Sequence, residues 1–255
     1  MNRKRYNTKR LHLLDVIRGI TLISMIAYHA AWDLVYIAGV DWPFYHTEKA
    51  FLWQQSICWT FILLSGFCAA LSVHRIKRGL LVSLCGVLVT AVTLVFLPED
   101  RVIFGVLTLL GSAMLLCGIL YKALIRMHPI PGMILCGYLF YLLRDVNSGW
   151  LQLYPGKTYP LPAALYHGYI LTYLGFMDPG FMSTDYFSLL PWCFLYFCGY
   201  ALHILCRECG VFQSRIFKAD CRPLSFLGRN SLMIYLLHQP VLYLFVLLYG
   251  ALQQI

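Results

Sequence analysis

The stretch LDVIRGITLISMIAYHAAWDL, residues 14–34, sets four ionisable side chains, Asp15, Arg18, His29 and Asp33, inside a long apolar run. At about 100° per residue, Arg18 and His29 fall about 20° apart after three helical turns. Asp15 and Asp33 lie within about 60° of the same line. The four groups therefore form one stripe on one helix face. A rise of about 1.5 Å per residue puts His29 about 16 Å from Arg18 along the axis. Asp15 can pair with Arg18, and Asp33 with His29, across single turns. A carboxylate one turn from an imidazole can fix its tautomer and raise its basicity, as general-base chemistry requires. Two self-contained ion pairs that only hold a bundle together are the other reading of the same residues.

Which reading applies depends on the solvent around the helix. Hydrophobic residues make up 60% of the 255 and charged residues 12%, against about 25% charged in soluble domains. Apolar stretches recur along the whole chain at approximately 13–37, 51–73, 79–97, 102–121, 130–143, 186–206 and 226–252. This predicts one all-α domain over 1–255, a polytopic transmembrane helix bundle of seven spans. The segment 163–177, AALYHGYILTYLGFM, is an eighth span or a re-entrant or interfacial piece. Charged groups near a bilayer centre cost several kcal/mol unless they pair or line a wet cavity. A stripe of four leading inward from one surface suits a tunnel for an elongated polar ligand.

Charge orients the chain. With seven spans and a cytoplasmic N-terminus, the inner face receives Arg3, Lys4, Arg5, Lys9 and Arg10, then Arg75, Lys77 and Arg78. Lys122 and Arg126 follow, then Arg207, Arg215, Lys218 and Arg222. Lys49, Arg101, Arg144 and Lys157 fall outside, so the positive-inside rule favours this orientation. The net charge of +9 is thus explained by topology and contact with membrane lipid, not by nucleic-acid binding. Most of the ten cysteines lie within spans, where Cys packs as a small apolar residue. CREC at 206–209 lacks a second pair to complete a zinc site, and no metal is expected.

In the last span Ser231, Tyr235 and His238 share one face at i, i+4 and i+7, with Asn230 beside it and Pro240 set to open the helix locally. They read as an acceptor-binding face opposite His29, or as a packing network. His46 follows the first span within an aromatic WPFYH belt.

RGITLISMIAYH has the arginine, ten residues, histidine spacing of the acyltransferase-3 family. The longer LDVIRGITLISMIAYHAAWDL, with DYFSLLPW at 185–192 and FLGRNSLMIYLLHQPVL at 226–242, resembles bacterial relatives of heparan-α-glucosaminide N-acetyltransferase. These belong to the same transmembrane acyltransferase superfamily. The resemblance implies a cell-membrane enzyme that moves an acetyl group from cytosolic acetyl-CoA to a carbohydrate or glycolipid acceptor, by O- or N-transfer. On the matching positions Arg18, with Asp15, would bind the CoA moiety, and His29 would act at the thioester as general base or acyl carrier. His46 has only a broad counterpart there, in the loop after the first span. The competing function is a transporter or flippase that uses the same stripe as a proton or substrate relay.

Overall fold

The structure, a computed structural model, describes residues 11–253. Arg3, Lys4, Arg5, Lys9 and Arg10, which the orientation argument uses, lie outside that range. The helices are α1 (His12–Tyr36), α2 (Glu48–Leu71), α3 (Arg75–Phe96), α4 (Val106–Ile119), α5 (Tyr121–Leu124) and α6 (Pro129–Leu142). There follow α7 (Tyr169–Leu174), α8 (Leu189–Glu208), α9 (Arg222–Arg229) and α10 (Ser231–Gln253). Five of them, α1, α2, α3, α8 and α10, are long and apolar enough to cross a bilayer. Large apolar side chains such as Leu84, Val95, Phe96 and Phe245 point outward, more than 60% exposed, which is the surface a helix presents to lipid rather than to water.

Not every apolar run becomes a helix of spanning length. Helices α4 and α6 have 14 residues each, about 21 Å, short of the roughly 30 Å hydrocarbon core. The run 163–177 contains a 3₁₀ turn at Ala163–Leu165 and the six-residue α7, about 9 Å long, and no helix of spanning length. The last apolar run is divided at Asn230, whose backbone N–H and side-chain amide both bond back to the Phe226 carbonyl and end α9. Pro240, expected to open the helix, lies within a continuous α10. A short antiparallel hairpin, β1 (Trp150–Tyr154) and β2 (Lys157–Pro160), also interrupts the all-helical pattern. Its turn depends on Gly156 at φ +84°, a backbone state that glycine adopts without steric cost.

The described residues form two compact units. One takes in the chain up to Phe61 and from Cys209 onward; the other is Ile62–Glu208. In the first unit α1 lies backbone to backbone on α9. A Cβ added at Gly228 would stand 1.9 Å from the Asp15 carbonyl oxygen, and one at Gly19 would stand 2.2 Å from that of Leu224. Leu22, Met25 and Ile57 form a buried core there, with Trp53, Leu227, Ile234 and Tyr235 packed on it. Trp53 Nε1 donates to Ser24 Oγ at 2.8 Å, so the indole's polar edge is bonded while its ring is buried.

In the second unit α3 and α4 approach through the same eight-residue pattern, GLLVSLCG at 79–86 and GSAMLLCG at 111–118. Gly86 faces the Thr108 backbone, Gly111 that of Ser83, and Gly79 and Gly118 face Leu115 and Ile76. Small residues let helices in lipid come within van der Waals reach of each other's backbones, where dispersion replaces the hydrophobic drive. Gly66 and Gly199 do the same for α2 and α8. Arg75 Nε and Nη2 donate to the Ala69 and Ala70 carbonyls in the last turn of α2, where the carbonyls lack i+4 donors, and Ala69 also accepts from Ser72 N at 3.2 Å. Its guanidinium also lies 4.3 Å above the Tyr121 ring.

DYFSLLPW ties this unit's loops together. Asp185 Oδ2 accepts from Val106 N at 3.2 Å, capping α4 with a carboxylate where the helix dipole favours negative charge. The Tyr186 hydroxyl donates to the Thr172 carbonyl at 2.6 Å, and burial pushes its pKa up to about 12. Ser188, fully buried, donates to the Leu190 carbonyl and sits 3.0 Å from Asn147 Oδ1. Nearby, Asp178 accepts backbone bonds from Gly168 at 2.8 Å and Gly180 at 2.9 Å, which hold its carboxyl below the usual range.

Gly111→Leu forces α3 and α4 apart and lowers the thermal unfolding midpoint in detergent, at a cost of about 1–3 kcal/mol or more. Gly137→Ala, where an added Cβ meets nothing within 4 Å, leaves the midpoint unchanged or raises it. For Asp178, a lowered folded-state pKa means the loop's stabilisation is complete above the ordinary carboxylate value near about 4, and is lost as pH falls through the lowered value. Exchange of the Gly168 and Gly180 amides, corrected for intrinsic rate, stays slow from pH 7 to 5 and accelerates in stronger acid. Asp178→Ala makes it fast at pH 7.

Candidate active site

The ionisable stripe of α1 meets two partners in the first unit. Near its start it faces α9. Arg18 Nη1 lies 3.5 Å from Asp15 Oδ1 and 3.4 Å from the Gly228 carbonyl, so the i, i+3 pair expected within α1 also reaches across to α9. Glycine is required at 228 for that reach, since its missing Cβ lets the two backbones touch. Asp15 is 7% exposed, and the Arg18 side chain 22%. One turn earlier His12 Nδ1 lies 3.7 Å from Asp220 Oδ2, while Asp220 Oδ1 accepts from the buried Ser225 hydroxyl at 2.5 Å. The start of α1 is thus a fixed polar corner built from α1, α9 and the turn before α9.

Three turns further the stripe faces α10. The His29 and His238 rings stand 4.9 Å apart between centroids at 58°. His238 is 8% exposed, and its Nδ1 lies 2.6 Å from the Tyr235 carbonyl. A carbonyl only accepts, so Nδ1 carries the proton and Nε2 the lone pair. One turn on, Asp33 is completely buried, and its Oδ1 accepts from Gln239 Nε2 at 2.8 Å. The sequence pairs Asp33 with His29; in the structure Asp33 bonds Gln239 and His29 meets His238.

Of the expected acceptor-side residues, Tyr235 is brought to the imidazoles, its ring 5.3 Å from that of His238. Asn230 and Ser231 are at the break between α9 and α10, about 10 Å below His238 along the axis. There Asn230 serves as the stop of α9. His46 is exposed and joins Tyr36 and Tyr45, each with centroids 6.3 Å away, in the aromatic belt the sequence suggested. Tyr45, 8% exposed, packs on Tyr28 at 5.3 Å. Burial, with Tyr28, Tyr36 and Asp33 adding to it, holds its hydroxyl well above the ordinary phenol range, so it stays a neutral O–H.

Two polar atoms at the α1–α10 contact, His238 Nε2 and Gln239 Oε1, are buried with no hydrogen-bond partner among the described residues. An unmatched buried polar atom costs about 1–3 kcal/mol. Two of them on adjacent residues of α10 leave hydrogen-bonding capacity that packing against α1 does not use. Further along the same two helices, Ala30, Leu34, Leu242, Phe245, Val246 and Tyr249 line an open apolar hollow of about 240 Å³.

A family model described as heparan-alpha-glucosaminide N-acetyltransferase, catalytic, matches residues 10–240. The chain belongs to that family. No curated protein and no solved structure matches it. Membership in the heparan-alpha-glucosaminide N-acetyltransferase catalytic family makes this a membrane acetyltransferase fold, and acetyltransferases of that type take their acetyl group from acetyl-CoA. The match runs through both parts of the stripe and ends at Pro240, so it includes Arg18, His29, Asp33, His238 and Gln239.

Sequence reasoning passed over Gln239, whose side chain is the direct partner of Asp33. Its signal was available: a second hydrogen-bonding residue beside His238 in an otherwise apolar helix, where such residues need a reason. His12 and Asp220 had no comparable signal, because 208 residues separate them and their approach depends on how α9 returns to α1. No group of three or more His, Cys, Asp or Glu side chains able to hold a metal occurs among the described residues.

Proposed function

We propose that this chain is a multi-pass cell-membrane enzyme that transfers an acetyl group from cytosolic acetyl-CoA to a sugar of a surface glycan or glycolipid. The observation that carries the reading is the contact of half-buried His29 with buried His238, on the same face of α1 as Arg18. Seven crossings with a cytoplasmic N-terminus belong to the proposal. The excess of Lys and Arg on alternate loops supports them. In that topology Arg18, oriented by Asp15, meets the anionic CoA near the inner surface, and the thin pantetheine arm covers the ~16 Å to the imidazoles. The acceptor arrives from the other side.

The chemistry needs a base for the acceptor's proton and a place for the thioester. The fixed tautomer of His238 supports it as the base, because Nε2 holds a lone pair and Nδ1–H is anchored on a carbonyl. His29 is then the group beside the thioester, which is where the family resemblance puts it. Acceptor X–H gives its proton to Nε2 as X attacks the acetyl carbonyl carbon. The C–S bond breaks on collapse of the tetrahedral intermediate, and the CoA sulfur leaves with the proton returned from the imidazolium. Burial strengthens each of these charge interactions by excluding water.

Calorimetry on the detergent-purified protein tests the donor site. Wild type binds acetyl-CoA in the micromolar range, Arg18→Ala weakens binding by about tenfold or more, and His29→Ala and His238→Ala bind normally but release no CoA thiol. A well-folded wild type that binds no acetyl-CoA would overturn the reading and favour the relay.

A further inference from the structure

Gln239 is half-buried on α10 and meets α1 one turn beyond the imidazole pair. A side-chain amide has two ends of opposite sense, and which end faces the site depends on its partner. Here the partner is the Asp33 carboxylate, which accepts. The amide must turn Nε2 toward it, and does so at 2.8 Å. Oε1 is thereby directed away from Asp33 as a fixed acceptor, buried and unbonded among the described residues. His238 Nε2, on the adjacent residue, is held as a second acceptor by its own Nδ1 bond. Two neighbouring buried acceptors can be satisfied only by a group that brings hydrogens.

We infer that Gln239 is a specificity-determining residue that binds the acceptor by a hydrogen, with Asp33 as the positioning residue that sets the amide's sense. This rests on the acyl-transfer reading above and adds the acceptor's side of it. The nucleophilic end of the acceptor is then a hydrogen-rich amine or hydroxyl cluster, one hydrogen going to Nε2 and another held on Oε1. A group with lone pairs alone at that place meets two lone pairs and is rejected. Asp33 need not touch the substrate for this. Its burial and charge keep the amide from flipping, and a flipped amide would present N–H donors to the same group.

The test separates acceptor recognition from turnover. Glucosamine, which carries an amine and several hydroxyls, serves as the probe, and its binding is read by thermal stabilisation of the detergent-solubilised protein without donor. Wild type is stabilised at millimolar sugar, and Gln239→Met, which keeps the side chain's length, loses the effect. With acetyl-CoA present, Gln239→Met raises the glucosamine KM by about tenfold while the acetyl-CoA KM moves less than twofold. Asp33→Asn still pairs with Gln239 but through either end of the amide, so it raises the sugar KM by an intermediate factor. It decides the matter if Gln239→Met fails to fold.

An unchanged sugar KM in either folded variant overturns the inference, as does an equal rise in both KM values, the mark of a merely structural role. A folded wild type that binds no glucosamine overturns it too. Sugar binding that depends on Gln239, in a protein that releases no CoA thiol, would leave the acceptor site standing and remove the acyl-transfer reading instead.

Discussion

A carboxylate buried in an apolar bundle has to be bonded, and Asp33 is completely buried. The cost of an uncompensated charge in hydrocarbon is several kcal/mol, comparable with a large part of a domain's net stability. The amide of Gln239 is therefore not an ornament on α10. It fixes the rotation of α10 about its axis, because the residue that meets Asp33 brings its neighbour, His238, against His29. Any turn of α10 that moved the imidazole would also strip Asp33 of a donor. Burial of one charge thus constrains the relation of the two histidines.

A second constraint comes from the solvent. Lipid offers no hydrophobic drive for helices to associate, so helix contact relies on dispersion and complementary shape. Gly19 and Gly228 provide this where α1 crosses α9, and the carbonyl exposed by Gly228 becomes a ligand for Arg18. The close approach that stabilises the crossing is therefore also what places the guanidinium. In the other unit the paired G-x₅-C-G segments of α3 and α4 contain no Asp, Glu, Lys, Arg or His. The same packing device serves a site in one place and architecture alone in another.

How far the sequence revealed this depends on the range of each interaction. The stripe of Asp15, Arg18, His29 and Asp33 was legible because helical periodicity alone puts those residues on one face. His238 was legible as a buried histidine in an apolar run. The Asp33 partner was not, because i, i+4 proximity to His29 suggested a local bond, and the competing donor lies 206 residues away. The break at Asn230 was overlooked although Gly228, Arg229, Asn230 and Ser231 interrupt the apolar run there: Gly228 serves the approach of α9 to α1, and the stop comes from an asparagine amide bonding back one turn. The short α4 and α7 were overextended for the converse reason. Apolar loop residues such as Val102, Ile103, Phe104 and Phe176 read as helix, whereas Phe104 adopts φ +56° and closes the option.

The break at Asn230 also has a consequence for the site. A single straight helix over 222–253 would give α1 one partner and one crossing angle along its whole length. Divided, the chain gives α1 two: α9, close enough for backbone contact beside Arg18, and α10, which meets it through side chains at His29 and Asp33. The first arrangement leaves no room between helices, whereas the second leaves an open apolar hollow further along the two helices. A donor's anionic end needs a rigid, charged corner, while a reacting centre needs side chains that can be approached by two substrates. The bond from Asn230 to Phe226 separates these two arrangements along one helix face, with the dense crossing beside Arg18 at one end and the imidazoles at the other.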